Sequence, residues 1–314
     1  IQSYVWGPPT LLLLIGTGLY FTIKLRRLQI AKFPFAVKTI FEKESGTGSG
    51  EGDVSAFATL CTTMAADIGT GSIVGVATAL RIGGPGSLFW MWISAILGMV
   101  TKYSESLLAV KYRVTDENNQ MAGGPMFYIQ NGMGERFIWL AKIFSVFGIC
   151  TALFGCGTFP QVNAITESVN VTFHIPIIVA GVIITVLTAV VTIGGIKSIS
   201  KVAEIVVPIM ALTFLGGSVV ALVINRAAVP DAFKTIFTCA FAKESVIGGT
   251  AGTGVITFMT VMRTGIARGV YTNEAGLGSS PIVAAAAKTN SGVRQGLLSM
   301  TSVFVTTILT CSVT

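Results

Sequence analysis

The chain has 314 residues, of which 52% are hydrophobic and only 11% are charged, and its formal net charge is +7. Soluble domains carry about a quarter charged residues, so this composition excludes an ordinary soluble protein and predicts residence in a lipid bilayer. Because lysine and arginine set the topology of a membrane protein, the positive charge does not indicate a nucleic-acid partner.

Eight apolar segments approach the roughly 20 residues that a helix needs to cross a bilayer. They comprise residues 5–23, 55–80, 87–110, 138–169, 175–193, 199–224, 246–262 and 295–314. Basic and apolar residues alternate over residues 25–41, which predicts an amphipathic stretch on the cytoplasmic surface. Residues 45–52 are rich in glycine and serine and are predicted to form a flexible linker.

Positively charged residues concentrate on one side of this arrangement. With the N-terminus outside, only Arg81, Arg226, Lys234 and Lys243 of the 21 lysines and arginines fall outside. Since cytoplasmic loops carry an excess of lysine and arginine, we predict a multi-pass protein of the cell (plasma) membrane with its N-terminus outside. The sequence starts without methionine and stops within an apolar run, so we expect it to be part of a longer protein.

Two of the predicted spans contain glycine clusters, at residues 69–75 and 248–254. Glycine inside a helix costs about 1 kcal/mol relative to alanine, so both clusters favour a broken helix. The two segments are five spans apart and enter from opposite sides, which is typical of an inverted repeat whose halves each open with a discontinuous helix. Close helix packing through small residues, such as Gly71 and Gly75, is the alternative explanation.

A helix that is broken inside the bilayer exposes polar backbone groups that can bind ions. The N-terminus of its second half attracts an anion, and the freed carbonyls suit a hard cation such as Na⁺. A zwitterionic amino acid that travels with Na⁺ would satisfy both. Asp67 lies just before the glycines, where an acidic residue is costly. It is a candidate cation ligand, a partner of the substrate amine or a protonatable group; the structural alternative is a protonated cap of the second half-helix.

Other polar residues in the spans are less specific. Gln161 and Asn163 can reach a substrate amine or form ordinary interhelical hydrogen bonds. Lys102 and Glu105 are spaced i, i+3 and predict a structural ion pair. One histidine and five cysteines without a CxxC pair give no zinc, iron–sulfur or haem pattern, so no cofactor is expected. GxSxG, HExxH and Walker A patterns are absent from the sequence, and the chain is predicted not to be an enzyme.

Four short motifs carry a family resemblance. They are GGPGSLFWMW at residues 83–92, TKYSE at 101–105, AGGPM at 122–126 and TNEAGLGSSP at 272–281. Together they resemble the signature of the alanine or glycine:cation symporter family, the sodium:alanine symporters. Members are similar to the leucine-transporter fold, an all-α polytopic membrane architecture, with one extra N-terminal helix before a five-plus-five inverted repeat.

The resemblance implies a division of the chain. Residues 1–24 would form the extra transmembrane helix, and residues 25–52 the cytoplasmic amphipathic segment and linker. Residues 53–225 would form the first five-helix repeat, and residues 226–314 the start of the second, incomplete repeat. About three further helices would follow Thr314 to complete the second repeat.

The resemblance also implies a binding site. The residues implied for the substrate are Gly69, Thr70, Gly71, Ser72 and Gln161, and the backbone amides of the first three would hold its carboxylate. The residues implied for Na⁺ are Ala65, Ile68 and Asp67. Asp67 and Ser72 stand where the family usually has an uncharged residue and an asparagine. The coupling ion, stoichiometry or selectivity is therefore expected to differ from that of the usual member.

The sequence thus predicts a secondary active symporter that carries alanine or glycine together with Na⁺ across the bilayer by alternating access. Two alternatives remain open at this point. One is a proton-coupled amino acid transporter that uses Asp67, and the other is an ion channel built on the glycine-rich segments. Saturable uptake that is driven by an ion gradient would distinguish a transporter from a channel.

Overall fold

The structure, a computed structural model, describes residues 6–42, 51–154, 157–242, 244–247 and 254–314. The helices of these residues are α1 Pro8–Lys24, α2 Leu28–Ala31, α3 Phe33–Phe41, α4 Ala56–Asp67, α5 Val74–Gly83, α6 Gly86–Lys111, α7 Pro125–Met133, α8 Ile138–Leu153, α9 Thr158–Phe173, α10 Ile177–Ile193, α11 Gly195–Ile224, α12 Val229–Phe241, α13 Phe258–Asn273, α14 Ser279–Ala285, α15 Gly292–Val303 and α16 Cys311–Val313. A 3₁₀ turn, Glu135–Phe137, precedes α8, and a π-helix, Phe304–Thr310, joins α15 to α16. Two antiparallel hairpins pair β1 Val114–Thr115 with β2 Met121–Ala122, and β3 Glu244–Ile247 with β4 Gly254–Thr257.

Four stretches of the described chain are long and apolar enough to cross a membrane. They are Gly86–Lys111, Glu135–Phe173, Gly195–Ile224 and Gly292–Val313, the second of which includes two residues outside the described ranges. The shorter helices α5 and α10 are also apolar. The chain is therefore an all-α polytopic membrane protein that also carries two small hairpins.

The predicted span at residues 246–262 is wrong. The structure places β3 and β4 in antiparallel register there, with Glu244 opposite Thr257 and Ile247 opposite Gly254, and the helix begins only at Phe258. Valine, isoleucine and threonine favour strands, and glycine disfavours helix, so this stretch is apolar without being a good helix former. Residues 248–253 of the predicted glycine-rich break lie outside the described residues.

Helix α6 forms the centre of the molecule, and α1, α12, α13, α14 and α15 all pack against it. Glycine permits very close approach at two of these contacts. A Cβ at Gly265 of α13 would lie 2.3 Å from the Ser87 carbonyl oxygen, and one at Gly296 of α15 would lie 2.8 Å from Tyr103. Small residues at such positions let membrane helices pack backbone to backbone, which fixes the position of α13 and α15 relative to α6.

Two helices are interrupted in the described chain. The predicted break in the second span is confirmed: α4 ends at Asp67 and α5 starts at Val74. A second interruption, which the sequence analysis did not identify, separates α13 from α14 over residues 274–278. Glu274, Gly276 and Gly278 have positive φ values there, of 54°, 87° and 82°, and two of these three residues are glycines, which adopt this conformation without strain.

Candidate functional site

The first break is a tight turn that is closed by its own polar groups. The Ser72 hydroxyl accepts a hydrogen bond from the Gly69 amide (3.1 Å), and the Gly75 amide donates to the Thr70 carbonyl (2.7 Å). Ser72 is fully buried, and its backbone carbonyl accepts a hydrogen bond from the Thr314 hydroxyl (3.3 Å). In this structure the Ser72 side chain therefore stabilises the break from inside.

A cavity of about 1100 Å³ opens beside this break. Of the residues predicted to bind substrate, Thr70 and Gly71 line it. Its other walls come from α5, α9 and α13, and they include Val74, Gly75, Thr78, Asn163, Glu167, Arg263, Arg268 and Tyr271. The break thus forms part of the surface of a space that is large enough for a small molecule and its water.

Gly69 and Gln161, two other residues predicted to bind substrate, do not line the cavity but lie against each other. A Cβ at Gly69 would lie 3.7 Å from the Gln161 side-chain nitrogen, so the amide group of Gln161 sits against the backbone of the break. Of the residues predicted to bind Na⁺, Ala65 is exposed, whereas Asp67 and Ile68 are buried. The structure therefore brings Gln161 to the break and places Asp67 and Ile68 behind it.

The cavity carries both signs of charge. Arg268 lies near the start of α5, where its Nη1 atom would be 3.8 Å from a Cβ at Gly75, and its guanidinium lies 6.0 Å from the Tyr271 ring centre. The N-terminal end of a helix attracts anions, so α5 and Arg268 make one region of the cavity favourable for a carboxylate. Glu167 of α9 supplies an acidic group to the same cavity.

Sequence reasoning missed Arg268, Tyr271 and Glu167 as cavity residues. Arg263 and Arg268 count toward the cytoplasmic excess of basic residues in the sequence, but the structure places both on the cavity wall in α13. The available signal was weak: Arg268 lies a few residues before the motif at residues 272–281. Only the turn at the second break shows that these residues belong to an interrupted helix.

Lys102 of α6 contacts both breaks. Its Nζ donates one hydrogen bond to Asp67 Oδ2 (2.7 Å) and one to the Asn273 backbone carbonyl (2.7 Å). The predicted pairing of Lys102 with Glu105 is wrong, because Glu105 Oε2 instead accepts a hydrogen bond from the Gly276 amide in the second break (3.2 Å). The i, i+3 spacing on one helix was a poor guide because both side chains point toward interrupted backbone that needs partners.

The first break also touches the end of α13 directly. The Thr272 hydroxyl of α13 lies 3.3 Å from the Gly71 carbonyl, although it donates at shorter distance (2.8 Å) to the Arg268 carbonyl. A Cβ at Gly71 would lie 3.4 Å from the Tyr271 ring. The last turn of α13 therefore packs on the first break next to the cavity.

The start of α4 is tied to the segment after α14 by the Arg113 latch, which consists of Arg113 and the carbonyls of Glu51, Ala285, Ala287 and Thr289. The Arg113 guanidinium donates to all four carbonyls at 2.5–2.9 Å. Burial lowers the pKa of this guanidinium, while the nearby carboxylates of Glu51 and Asp53 act in the opposite direction. The cation is thus partly withdrawn from water and satisfied by backbone.

Further contacts strengthen the same region. Val54 and Ala287 form a parallel bridge, and the Asp53 and Val54 amides both donate to the Ala286 carbonyl. Asp53 also forms an ion pair with Lys197 of α11 (3.3 Å). The latch lies where α4 starts and α14 has ended, whereas the cavity lies along α5 and α13. One half of each interrupted helix, α5 or α13, therefore lines the cavity. The other halves, α4 and α14, are held together by the Arg113 latch.

Comparison with known proteins gives a consistent result. A protein-family model described as the sodium:alanine symporter family matches residues 1–314. The chain is 52% identical over 314 residues to a protein of Haemophilus influenzae described as an uncharacterized transporter, covering all of this chain and 67% of that protein. It is 44% identical over 316 residues to the sodium/alanine symporter AgcS of Methanococcus maripaludis, covering all of this chain and 68% of AgcS.

A third relative is YflA of Bacillus subtilis, described as an uncharacterized transporter. The chain is 40% identical to it over 314 residues, covering all of this chain and 65% of YflA. The chain thus spans about two thirds of the length of these relatives.

Proposed function

We propose a function for this chain on the basis of its family. The chain belongs to the sodium:alanine symporter family. This is a family of transporters rather than enzymes, and its members are cation-coupled amino acid symporters. We infer that the complete protein is a secondary active symporter that carries alanine or glycine together with Na⁺. It would reside in the plasma membrane with its N-terminus outside and would work by alternating access.

One observation carries the choice of cargo: the cavity beside the first break offers opposite charges to a zwitterion. The amides at Thr70 and Gly71, helped by Arg268, would bind the substrate carboxylate. The Gly69 amide would join them only after leaving the Ser72 hydroxyl, to which it donates in this structure. Glu167 of α9, which lines the same cavity, would bind the ammonium group. The Tyr271 ring lies 3.4 Å from the position that a Cβ at Gly71 would take, so this part of the cavity favours a substrate with a small side chain.

Na⁺ would bind behind the break. Carbonyls near Ala65 and Ile68, at the end of α4, where the last turn of a helix leaves carbonyls without partners inside the helix, and the carboxylate of Asp67 would supply hard oxygen ligands of the kind that alkali cations require. Gln161 would orient the break from the side, since it lies against Gly69. Ser72 would contribute through the turn that it closes.

Alternating access is supported by the unequal ends of the interrupted helices. The cavity opens along α5 and α13, and the Arg113 latch closes the start of α4. Two interrupted helices that meet at their breaks support a leucine-transporter-like inverted repeat. Its first half would be residues 53–225, after the extra helix at residues 1–24 and the segment at 25–52, and its second half would begin in residues 226–314.

Uptake of labelled alanine by proteoliposomes that contain the complete protein tests this proposal. We expect uptake to require an inward Na⁺ gradient and to fall at least tenfold, or about 1.4 kcal/mol of transition-state free energy, in the Gly71→Leu variant. The added side chain would occupy the cavity against Tyr271. The matched control is Gly148→Leu in α8, where a Cβ meets nothing within 4 Å. Failure of Na⁺ to stimulate uptake of alanine, glycine or serine would contradict the proposal.

The buried Asp67 supports a second candidate, in which a proton is the coupling ion. In that case a proton gradient alone would drive alanine uptake, and Asp67→Asn would abolish the stimulation by the gradient. The same vesicles, with Na⁺ replaced by choline, distinguish the two candidates. Current that flows without any amino acid and does not saturate would instead indicate a channel.

A further inference from the structure

Lys102 provides a fixed positive charge where the two interrupted helices meet. The side chains of Lys102 and Asp67 are both 0% exposed. A charge inside a membrane protein is costly unless it is paired and hydrogen-bonded, and the two acceptors of Lys102 meet this requirement. These acceptors are Asp67 and Asn273, which are the last residues of α4 and α13. One ammonium group therefore holds the end of a half-helix from each interrupted helix.

Only half of the Asp67 carboxylate is used by this contact. Oδ2 accepts the hydrogen bond from Lys102, but Oδ1 is buried and has no hydrogen-bond partner among the described residues. The Ser302 side chain of α15 lies next to the carboxylate, yet its hydroxyl donates to the Ser299 carbonyl (2.9 Å). A buried carboxylate oxygen without a donor is unusual in a folded protein and requires an explanation.

The other acidic groups near Lys102 are already engaged. Glu105 accepts a hydrogen bond from the Gly276 amide, and Glu274 accepts one from the Ser279 hydroxyl. Each of these two residues accepts through one oxygen and is only partly buried, whereas Oδ1 of Asp67 is a fully buried acidic oxygen without a donor among the described residues. It is therefore the oxygen best placed to bind a mobile cation at the crossing of the breaks. Lys102 repels any such cation because it lies within hydrogen-bond distance of the same carboxylate.

We propose that Lys102 is a positioning residue that sets the affinity for the coupling cation, by holding Asp67 Oδ2 and leaving Oδ1 for that cation. This inference rests on the proposed function, in which a cation is carried with the amino acid. Sharing the carboxylate between a fixed and a mobile cation keeps binding of the mobile cation weak enough for release. The same ammonium group keeps the ends of α4 and α13 together while the cation is absent.

The test compares Lys102→Met with the unsubstituted protein in proteoliposomes. Methionine keeps an unbranched side chain of similar length but removes the positive charge. The buried Asp67 carboxylate then loses the counter-charge of Lys102 and should attract Na⁺ more strongly. We expect the Na⁺ concentration for half-maximal alanine uptake to fall at least tenfold and the maximal rate to fall because Na⁺ is released slowly. The KM for alanine at saturating Na⁺ should change less than threefold. An unchanged or higher half-maximal Na⁺ concentration would overturn the proposal.

Two further variants separate this role from a general loss of folding. Lys102→Met combined with Asp67→Asn removes both charges, and we expect its half-maximal Na⁺ concentration to return to or above that of the unsubstituted protein. If the double variant instead binds Na⁺ as tightly as Lys102→Met, Asp67 does not carry the effect and the proposal fails. Lys111→Met is the matched control on the same helix, where the side chain is exposed, and it should change neither quantity.

A binding measurement keeps this test independent of the cargo. The Tm of the purified complete protein is followed as NaCl replaces choline chloride at constant ionic strength. The Na⁺ concentration that stabilises Lys102→Met should be at least tenfold lower than the concentration that stabilises the unsubstituted protein. If no amino acid is taken up but this shift is seen, the proposed cargo is wrong and the role of Lys102 stands. If Na⁺ stabilises neither protein, the inference is refuted even where uptake is observed.

Discussion

Replacement of Arg113 by glutamine should open the latch side of the protein. Arg113 donates four hydrogen bonds to the backbone, and three of the acceptors, Ala285, Ala287 and Thr289, lie at or after the end of α14. A hydrogen bond that involves a charged group contributes about 1.5–3 kcal/mol when it is buried. The site is half-buried, and water would replace part of each bond, so we take about 1 kcal/mol for each of these three.

The total of about 3 kcal/mol corresponds to a change of about 150-fold in the ratio of open to closed latch. The assay is the rate at which a membrane-impermeant maleimide labels a cysteine placed at Ala287, which is fully buried in the latch. The five natural cysteines are first replaced. We expect labelling about 100-fold faster in Arg113→Gln and an intermediate rate in Arg113→Lys, whose single ammonium group cannot reach all the carbonyls.

Arg136→Gln is the control, because Arg136 is exposed and lies outside the latch. Labelling at the same rate in Arg113→Gln and the unsubstituted protein would refute the reasoning. It would show that the bridge between Val54 and Ala287, and not the guanidinium, keeps this side closed.

Two further predictions concern helix packing and the cavity. Gly265→Ala should lower the stability of the purified protein by about 1–3 kcal/mol through overpacking, since its Cβ would lie 2.3 Å from the Ser87 carbonyl. Gly216→Ala inside α11, where the added Cβ meets nothing within 4 Å, should keep or raise the Tm, because alanine favours the helix more than glycine does. Equal Tm values for the two variants would show that α13 and α6 do not pack as closely as described. Arg268→Gln should raise the KM for alanine about tenfold, which corresponds to a loss of about 1.4 kcal/mol of carboxylate binding. The half-maximal Na⁺ concentration should not change. An unchanged KM in uptake assays would show that Arg268 does not belong to the carboxylate site.

The membrane architecture and the first break were predictable because local chemistry determines both. Long apolar segments predict spans by length, and Gly69 and Gly71 lower helix propensity where the structure has its interruption. The family resemblance implied that Gln161 lines the substrate pocket. The structure places Gln161 against Gly69 but not among the residues that line the cavity, so its role in binding stays a prediction. The leucine-transporter-like repeat stays a proposal.

The second break could not be recognised from composition. Residues 274–278 contain two glycines, but Glu274 and the polar residues on either side of this segment are typical of a loop outside the membrane. The apolar stretch before α13 looked more like a span than α13 itself, which carries Arg263, Arg268 and Asn273. A polar half-helix is stable in the bilayer only because its polar groups face a cavity or a buried partner, and neither is visible in one sequence.

The pairing of Lys102 was hidden for a different reason. Its partners are 35 and 171 positions away in the chain, so a rule that considers neighbours on one helix selected Glu105. Both residues are in fact directed at backbone that the breaks leave unpaired, at Asn273 and at Gly276. Interrupted helices create a demand for polar partners that local patterns do not contain.

If the coupling cation binds at Asp67 as proposed, this arrangement gives α6 a specific part in coupling. Lys102 links the two breaks, because it binds Asp67 at one break and Asn273 at the other, in addition to the contacts of Gly71 with Tyr271 and Thr272. A cation that binds to Asp67 draws the carboxylate toward itself and weakens its attraction for Lys102. We expect the contact of Lys102 with Asn273 to change as well, because the same ammonium group makes both hydrogen bonds. Cation binding at the first break would thereby alter the contacts of the second break. Any mechanism that moves both interrupted helices together requires such a link.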